Sequence, residues 1–161
     1  MFTIRKAQLD DAPTLADLLR GLDWFERIRL EPPEKTTASV TRHLEQCLLD
    51  GSHSIYVAED QAGELVGYVA VHWLPYLFLP GLEGFISELF VRETARGASV
   101  GSRLLRAVTL EARERGCYRL SLLNGRHRES YHRKFYEKQG WEERPTMVNF
   151  VYYIPEVEES P

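Results

Sequence analysis

Little in this chain marks a stapled fold or a specialised surface. It has two cysteines, Cys47 and Cys117, both in apolar surroundings and neither in a CxxC, which excludes a disulfide framework and leaves them as core fillers. Five histidines, His43, His53, His72, His127 and His132, never fall into HxH, HExxH or another zinc-site spacing, so no metal is implied. No stretch approaches the ~20 apolar residues of a membrane span, and the opening MFTIRKAQLDD lacks the apolar core of a secretory leader. Charge of one sign is also missing: 20 Lys and Arg against 24 Asp and Glu give a net −4, with no global pull toward nucleic acid or membrane. There is no repeat, low-complexity tract or linker. A cytoplasmic chain is the default expectation.

What is present is an ordinary globular composition, 43% hydrophobic and 27% charged over 161 residues, enough for one core that buries roughly two-thirds of the unfolded surface. We expect a single domain over 1–161, with 155–161 (PEVEESP) as a flexible acidic tail. FTIRKA reads as a strand. LDDAPTLADLLRGL reads as a helix, capped by Asp10 or Asp11, with Pro13 in its first turn, Leu15, Leu18, Leu19 and Leu22 on one face and Gly21 near its stop. A second helix is predicted over Thr37–Leu49, with Val40, Leu44 and Leu48 at i, i+4 and i+8. The period then shortens to two. HSIYVAED, ELVGYVAVHW and EGFISELFV predict three successive strands, the first pair joined by the polar turn DQAG.

A helix over Val100–Arg115 follows, with Val100, Leu104, Leu105, Val108 and Ala112 on one face and Gly116 as its stop. CYRLSLLN predicts a strand, RESYHRKFYEKQ a helix ending at Gly140, and VNFVYYI a closing strand. The fold class is mixed α/β (α+β), a central twisted mixed sheet, largely antiparallel in its first half, flanked by about four helices.

Between the third strand of the meander and the long helix lies RETARGASVGSRLL, which places an arginine, two glycines and two small residues in six positions. A backbone that bare at a helix start suits a phosphate, because the first N–H groups of a helix are unpaired and carry partial positive charge. The alternative is a tight strand-to-helix turn whose glycines serve only positive φ.

The run ELFVRETARGASVGSRLL, followed by a strand and then FYEKQGW, resembles the GNAT superfamily of N-acetyltransferases, whose signature is an Arg/Gln-x-x-Gly-x-Gly/Ala turn opening a helix. In element order the resemblance covers nearly the whole chain. It implies an acetyl-CoA-dependent transferase in which Arg96, Gly97, Ala98, Ser99, Val100 and Gly101, with Ser102 behind them, wrap the pyrophosphate. It implies also that Leu89, Phe90 and Val91 pair with the pantetheine arm and that Tyr136 lies near the thiol. Two positions depart from the pattern. Ser99 replaces the first glycine, its hydroxyl expected to bond phosphate. Glu129 replaces an asparagine, a role Asn124 is placed to take.

Acyl transfer to an amine requires loss of the ammonium proton, and Glu88 is the candidate base. Alternation in EGFISELFV places Ile86, Glu88 and Phe90 on one face, where burial would raise a carboxyl pKa. The alternatives for Glu88 are a salt bridge or a solvated sheet face. Tyr136 is positioned to protonate the leaving thiolate, its alternative being a core aromatic. Backbone amides around Phe90 would polarise the thioester carbonyl for direct attack in a ternary complex.

The acceptor site is expected near Trp24, Phe25, Trp73 and Tyr76, aromatics that suit an amphipathic primary amine or, equally, a homodimer interface. Two rival functions remain at this stage. One is a nucleic-acid or partner-binding module built on Arg126, Arg128, Tyr131, Arg133, Lys134 and Tyr136, which the net charge opposes. The other is a CoA-binding regulator without catalysis, which Glu88 and Tyr136 oppose.

Overall fold

The computed structural model describes residues 1–22 and 25–154, in two compact units, Met1–Leu123 and Asn124–Pro161. The first carries β1 (Thr3–Lys6), α1 (Ala12–Arg20), α2 (Glu26–Leu30), α3 (Pro33–Asp50), β2 (His53–Glu59), β3 (Leu65–Leu74), β4 (Glu83–Val91), α4 (Val100–Glu114) and β5 (Arg119–Leu122). The second carries α5 (Glu129–His132). No described helix is long and apolar enough to cross a membrane.

The five strands form one mixed sheet in the order β1-β2-β3-β4-β5, antiparallel except where β5 runs parallel to β4. The β2–β3 turn is tied by Asp60, whose carboxylate accepts the N–H groups of Ala62 at 2.9 Å and Glu64 at 3.0 Å. One sheet face packs on α1 and α3, with Leu15, Leu18, Leu44, Val57, Leu65 and Tyr68 in a shared core that Phe25 and Phe90 flank. The predicted apolar face of α1 is therefore the buried one. Asp11 precedes α1, but its carboxylate is taken by a two-pronged pair with Arg5, both at 2.8 Å, and by the Gln8 N–H at 2.7 Å.

The opposite sheet face packs on α4, where Val100, Leu104, Leu105, Val108 and Ala112 are all buried, as their spacing predicts. Glu111 is buried among them and accepts from Lys6, Ser54, Tyr56 and Arg115. Trp73 lies on this face too, its indole N–H on Ser54 at 3.0 Å and Arg115 stacked on its ring at 4.9 Å. Gly84 passes directly under that ring, where a Cβ would come within 2.8 Å of it, so no other residue fits there.

Four expectations need correction. The helix predicted over Thr37–Leu49 begins earlier, at Pro33, because a proline in the first turn loses no intrahelical bond. Leu48 is 63% exposed rather than packed with Val40 and Leu44, since eight residues rotate a helix by about 80° beyond two full turns. The predicted helix over RESYHRKFYEKQ is broken after α5, with Lys134 in the left-handed region at φ 56° and only a 3-10 turn at Glu137–Gln139 beyond. The predicted closing strand, VNFVYYI, forms no strand among the described residues, because alternation supplies the faces of a strand and not the neighbouring edge it needs. The short helix α2 was not anticipated, and the tail 155–161 lies outside the described residues.

Candidate active site

The decisive local feature is an irregularity in β4. Pairing with β3 runs Phe90 to Tyr68 and Glu88 to Ala70, then skips Ser87 so that Ile86 faces Val71 and Phe85 faces His72. Ser87 is thus the extra residue of a β-bulge. Its hydroxyl is 3.1 Å from the His72 ring nitrogen, on the α1/α3 side of the sheet. The bulge overturns the expectation that Ile86 shares a face with Glu88. Ile86 points to the α4 core and is buried there, while Glu88 and Phe90 point to the α1/α3 side.

Glu88 is half-buried on that side. Burial pushes its carboxyl above the ordinary value, and the Tyr68 hydroxyl pulls it partly back. Tyr68 was missed from the sequence. Its hydroxyl is fully buried with no partner at hydrogen-bond geometry among the described residues, and burial followed by the Glu88 charge drives its own pKa sharply up. Beside them Phe90 packs on the Tyr68 ring at 5.7 Å and edge-on to Phe25 at 5.6 Å. Tyr68 sits diagonally across the β3–β4 ladder from Glu88, a relation that only the strand register reveals.

The bulge also opens an edge. Pairing of β4 with β5 stops at Ile86 and Leu122, so from Ser87 through Val91 the side of β4 away from β3 carries no paired strand among the described residues. That open edge includes Leu89, Phe90 and Val91. It leads into a short 3-10 turn, Glu93–Ala95, and then into the bare turn before α4. Arg92 anchors the junction, with its backbone N–H on Val66 at 2.8 Å and its Nε on Leu65 at 3.0 Å.

In the bare turn Gly97 has φ 80° and Ser99 has φ 60°. None of the N–H groups from Gly97 through Ser102 donates a hydrogen bond of normal geometry to a described residue, and a Cβ at Gly97 would meet nothing within 4 Å. Six successive donors at the start of the 15-residue α4 therefore lack an acceptor among the described residues, the arrangement an anion with several oxygens fits. Arg96 is exposed beside them, its Nε donating to the Val91 carbonyl at 3.4 Å.

Ser99 occupies backbone space that favours glycine, at a cost of roughly 1–2 kcal/mol for a side chain. Ser99→Gly recovers that strain while loosening the unfolded chain by about 0.5–1 kcal/mol. We expect a change between zero and about +1 kcal/mol in thermal unfolding, and a clear loss of stability would show that the serine side chain holds the turn.

The chain as a whole has matches among known proteins. Residues 19–141 match the model of the acetyltransferase (GNAT) family. The chain belongs to the GNAT family. It is similar to glucosamine 6-phosphate N-acetyltransferase 1 of Oryza sativa subsp. japonica, 31% identical over 147 residues, 86% of this chain and 83% of the relative. Among solved structures it is similar to a transcriptional regulator from Bacillus halodurans C-125 (TM-score 0.81, 26% identity, 96% of this chain and 100% of that one). It shares the fold of a predicted acetyltransferase with acetyl-CoA from Clostridium acetobutylicum (TM-score 0.70, 20% identity, 94% and 96% covered).

The other sequence-predicted residues of this GNAT protein are distributed as follows. Trp24 lies outside the described residues. Phe25 reaches the Glu88 side through Phe90. Trp73 does not: it is 5% exposed on the α4 face. Tyr76 is exposed in the β3–β4 loop, its ring 5.4 Å from that of Phe78. In the second unit Tyr136 is half-buried between Phe135 at 5.0 Å and Trp141 at 6.1 Å. Burial raises its phenol, against the pull of Arg128 and Arg133. Asn124 accepts from the Ser130 hydroxyl at 3.0 Å. Within the basic segment Arg126 is paired with Glu143 at 2.6 Å, and Tyr131 donates to the same carboxylate at 2.9 Å.

Proposed function

We propose that this protein is an acetyl-CoA-dependent N-acetyltransferase of the cytoplasm, working as one domain over its 161 residues, and that it acetylates a primary amine of a small molecule or peptide. The observation that carries the reading is the row of free N–H groups from Gly97 to Ser102 at the head of α4. These donors, with Arg96, would hold the pyrophosphate. The open edge at Leu89, Phe90 and Val91 would take an amide-bearing chain by strand-like pairing. Two unpaired thiols, Cys47 and Cys117, suit a reducing compartment. The rice relative's name points to a phosphorylated amino sugar as one acceptor to try.

Acetyl-CoA supplies an acyl group activated as a thioester. Glu88, in the sense given by its raised pKa, takes the proton that the acceptor amine must lose, directly or through water. Amides near Phe90 polarise the carbonyl as the new C–N bond forms. Tyr136 gives its proton to the sulfur as the C–S bond breaks, which fits a phenol kept protonated by burial. No covalent enzyme intermediate is required.

Saturating acetyl-CoA, at 100 times its dissociation constant, is expected to stabilise the protein by about 2.7 kcal/mol, read as a rise in Tm. Free adenine should do far less. Gly101→Val, in the first turn of α4, should abolish most of that shift while leaving the Tm of the free protein within a few degrees, since a β-branched side chain there crowds the approach to the N–H row. An unmoved Tm with no binding by calorimetry overturns the proposal. Wild-type affinity in Gly101→Val would make the turn purely structural.

A further inference from the structure

Among the described residues one buried side-chain oxygen has no partner at hydrogen-bond geometry, and it is the Tyr68 hydroxyl. Burying such a group works against folding, and a phenylalanine would fill the same space without it. The hydroxyl therefore calls for a use outside packing. Its position is fixed by the ring that carries it. Tyr68 is 4% exposed and stands in the core with Leu15, Leu18, Leu44 and Val57, its register partner Phe90 packed on it at 5.7 Å. The ladder is tight beside it, since a Cβ at Gly67 would come within 2.7 Å of the Phe90 carbonyl oxygen.

What the hydroxyl meets is Glu88. The two side chains share the α1/α3 side of the sheet, two residues apart along the β3–β4 ladder, and each acts on the ionisation of the other. Burial raises the Glu88 carboxyl, and Tyr68 is the group that lowers it. The other titratable groups around this face are engaged elsewhere or exposed. His72 on β3 is turned to Ser87 and answers to burial, His53 and His43. Glu59 on β2 is paired with Arg5, and Cys47 on α3 is bonded to the His53 carbonyl. Arg20 on α1 holds the carbonyls of Ile28 and Glu31, and Arg92 holds that of Leu65. Asp17 on α1, Glu26, Arg27 and Arg29 on α2, and the charged residues of α3 are exposed.

We infer that Tyr68 is the positioning residue for Glu88, its core-fixed hydroxyl donating to the carboxylate whenever that is charged and so keeping it available to take the amine proton at neutral pH. Tyr68 itself transfers nothing. Burial and the Glu88 charge hold its phenol well above the ordinary value, so its proton stays on the oxygen throughout. The inference rests on the acetyl-transfer reading for the role of Glu88, but the coupling of the two side chains can be tested without it.

Tyr68→Phe keeps the ring and should leave the Tm within a few degrees of wild type. Loss of the donor should raise the Glu88 midpoint by about 1–2 pH units, the scale of a hydrogen bond to a charged group. Carboxyl-carbon NMR reads that midpoint, with the resonance assigned through Glu88→Gln. With both substrates saturating, kcat of Tyr68→Phe should fall by about 10- to 100-fold on the acid limb and rejoin wild type on the alkaline plateau, with KM for acetyl-CoA unchanged. The wild type gives a second reading that needs no Tyr68 variant: one tyrosine ring carbon bearing the hydroxyl should titrate with the Glu88 midpoint and cease to do so in Glu88→Gln. A Glu88 midpoint unmoved in Tyr68→Phe overturns the inference, as does the absence of any tyrosine signal that follows Glu88. A loss of kcat that persists on the plateau marks a structural effect and overturns it too. If the midpoint moves but wild type acetylates no amine, the coupling stands and the acetyl-transfer reading fails, and with it the role assigned to Tyr68.

Discussion

Glu111→Ala is expected to cost about 3–5 kcal/mol of folding stability, the range for removing one partner from a buried charged network. The carboxylate, with a side chain 6% exposed, accepts from Ser54 at 3.0 Å, Tyr56 at 2.8 Å, Arg115 at 2.9 Å and Lys6 at 2.9 Å. Lys6 is mostly exposed and contributes little. The loss comes from leaving the buried hydroxyls and the Arg115 guanidinium without their acceptor. Burial alone would raise the Glu111 carboxyl, but the hydrogen bonds from Lys6, Tyr56, Arg115 and Ser54 outweigh it and hold the pKa below the ordinary value. A depressed carboxylate stabilises the fold above its unfolded pKa of about 4.3 and loses that contribution as pH falls through the folded value. The advantage of wild type over Glu111→Gln should therefore shrink on acidification below about pH 4. A urea midpoint that moves by less than about 1 kcal/mol in Glu111→Ala would show the network to be incidental.

Tyr136→Phe should lower turnover by about 10²-fold with acetyl-CoA affinity near that of wild type, the pattern of a lost general acid. The ring remains to pack on Phe135 and Trp141, so the fold should not register the change. Glu88→Gln should also slow turnover, but its deficit should narrow with rising pH as more amine is deprotonated by solvent. The two variants differ in stability as well. A carboxyl whose folded pKa is raised contributes most below its unfolded value and loses that contribution as pH rises through the folded one. Glu88→Gln should therefore be at least as stable as wild type at neutral pH. Equal turnover in wild type and Tyr136→Phe, with chemistry limiting, would reduce Tyr136 to a packing residue.

Sequence patterns proved strongest where a single element sets its own environment. The buried face of α4 follows from Val100, Leu104, Leu105, Val108 and Ala112 because helical spacing alone aligns them. The bare turn was readable for the same reason, since Gly97 and the start of α4 are local features. Patterns failed where a neighbour decides. Ile86 and Glu88 are two apart, yet they face opposite sides because β4 carries one residue more than β3 needs. Tyr68 escaped notice because its link to Glu88 runs across two strands. Trp73 looked like a surface aromatic, but the small Gly84 across the ladder and Ser54 on β2 make room for it inside. VNFVYYI alternates like a strand but forms none among the described residues, since a strand needs a neighbour that its own residues do not supply.

The extra residue in β4 divides that strand's duties. Glu83–Ile86 is held between β3 and β5, with Gly84 and Ile86 on the α4 side, so substitutions there should register as changes in folding free energy. Leu89–Val91 pairs with β3 alone among the described strands, and substitutions there should register mainly in what the protein recognises. A fault line one residue wide thus lets a single strand accumulate changes in specificity on one side of Ser87 without spending the stability secured on the other.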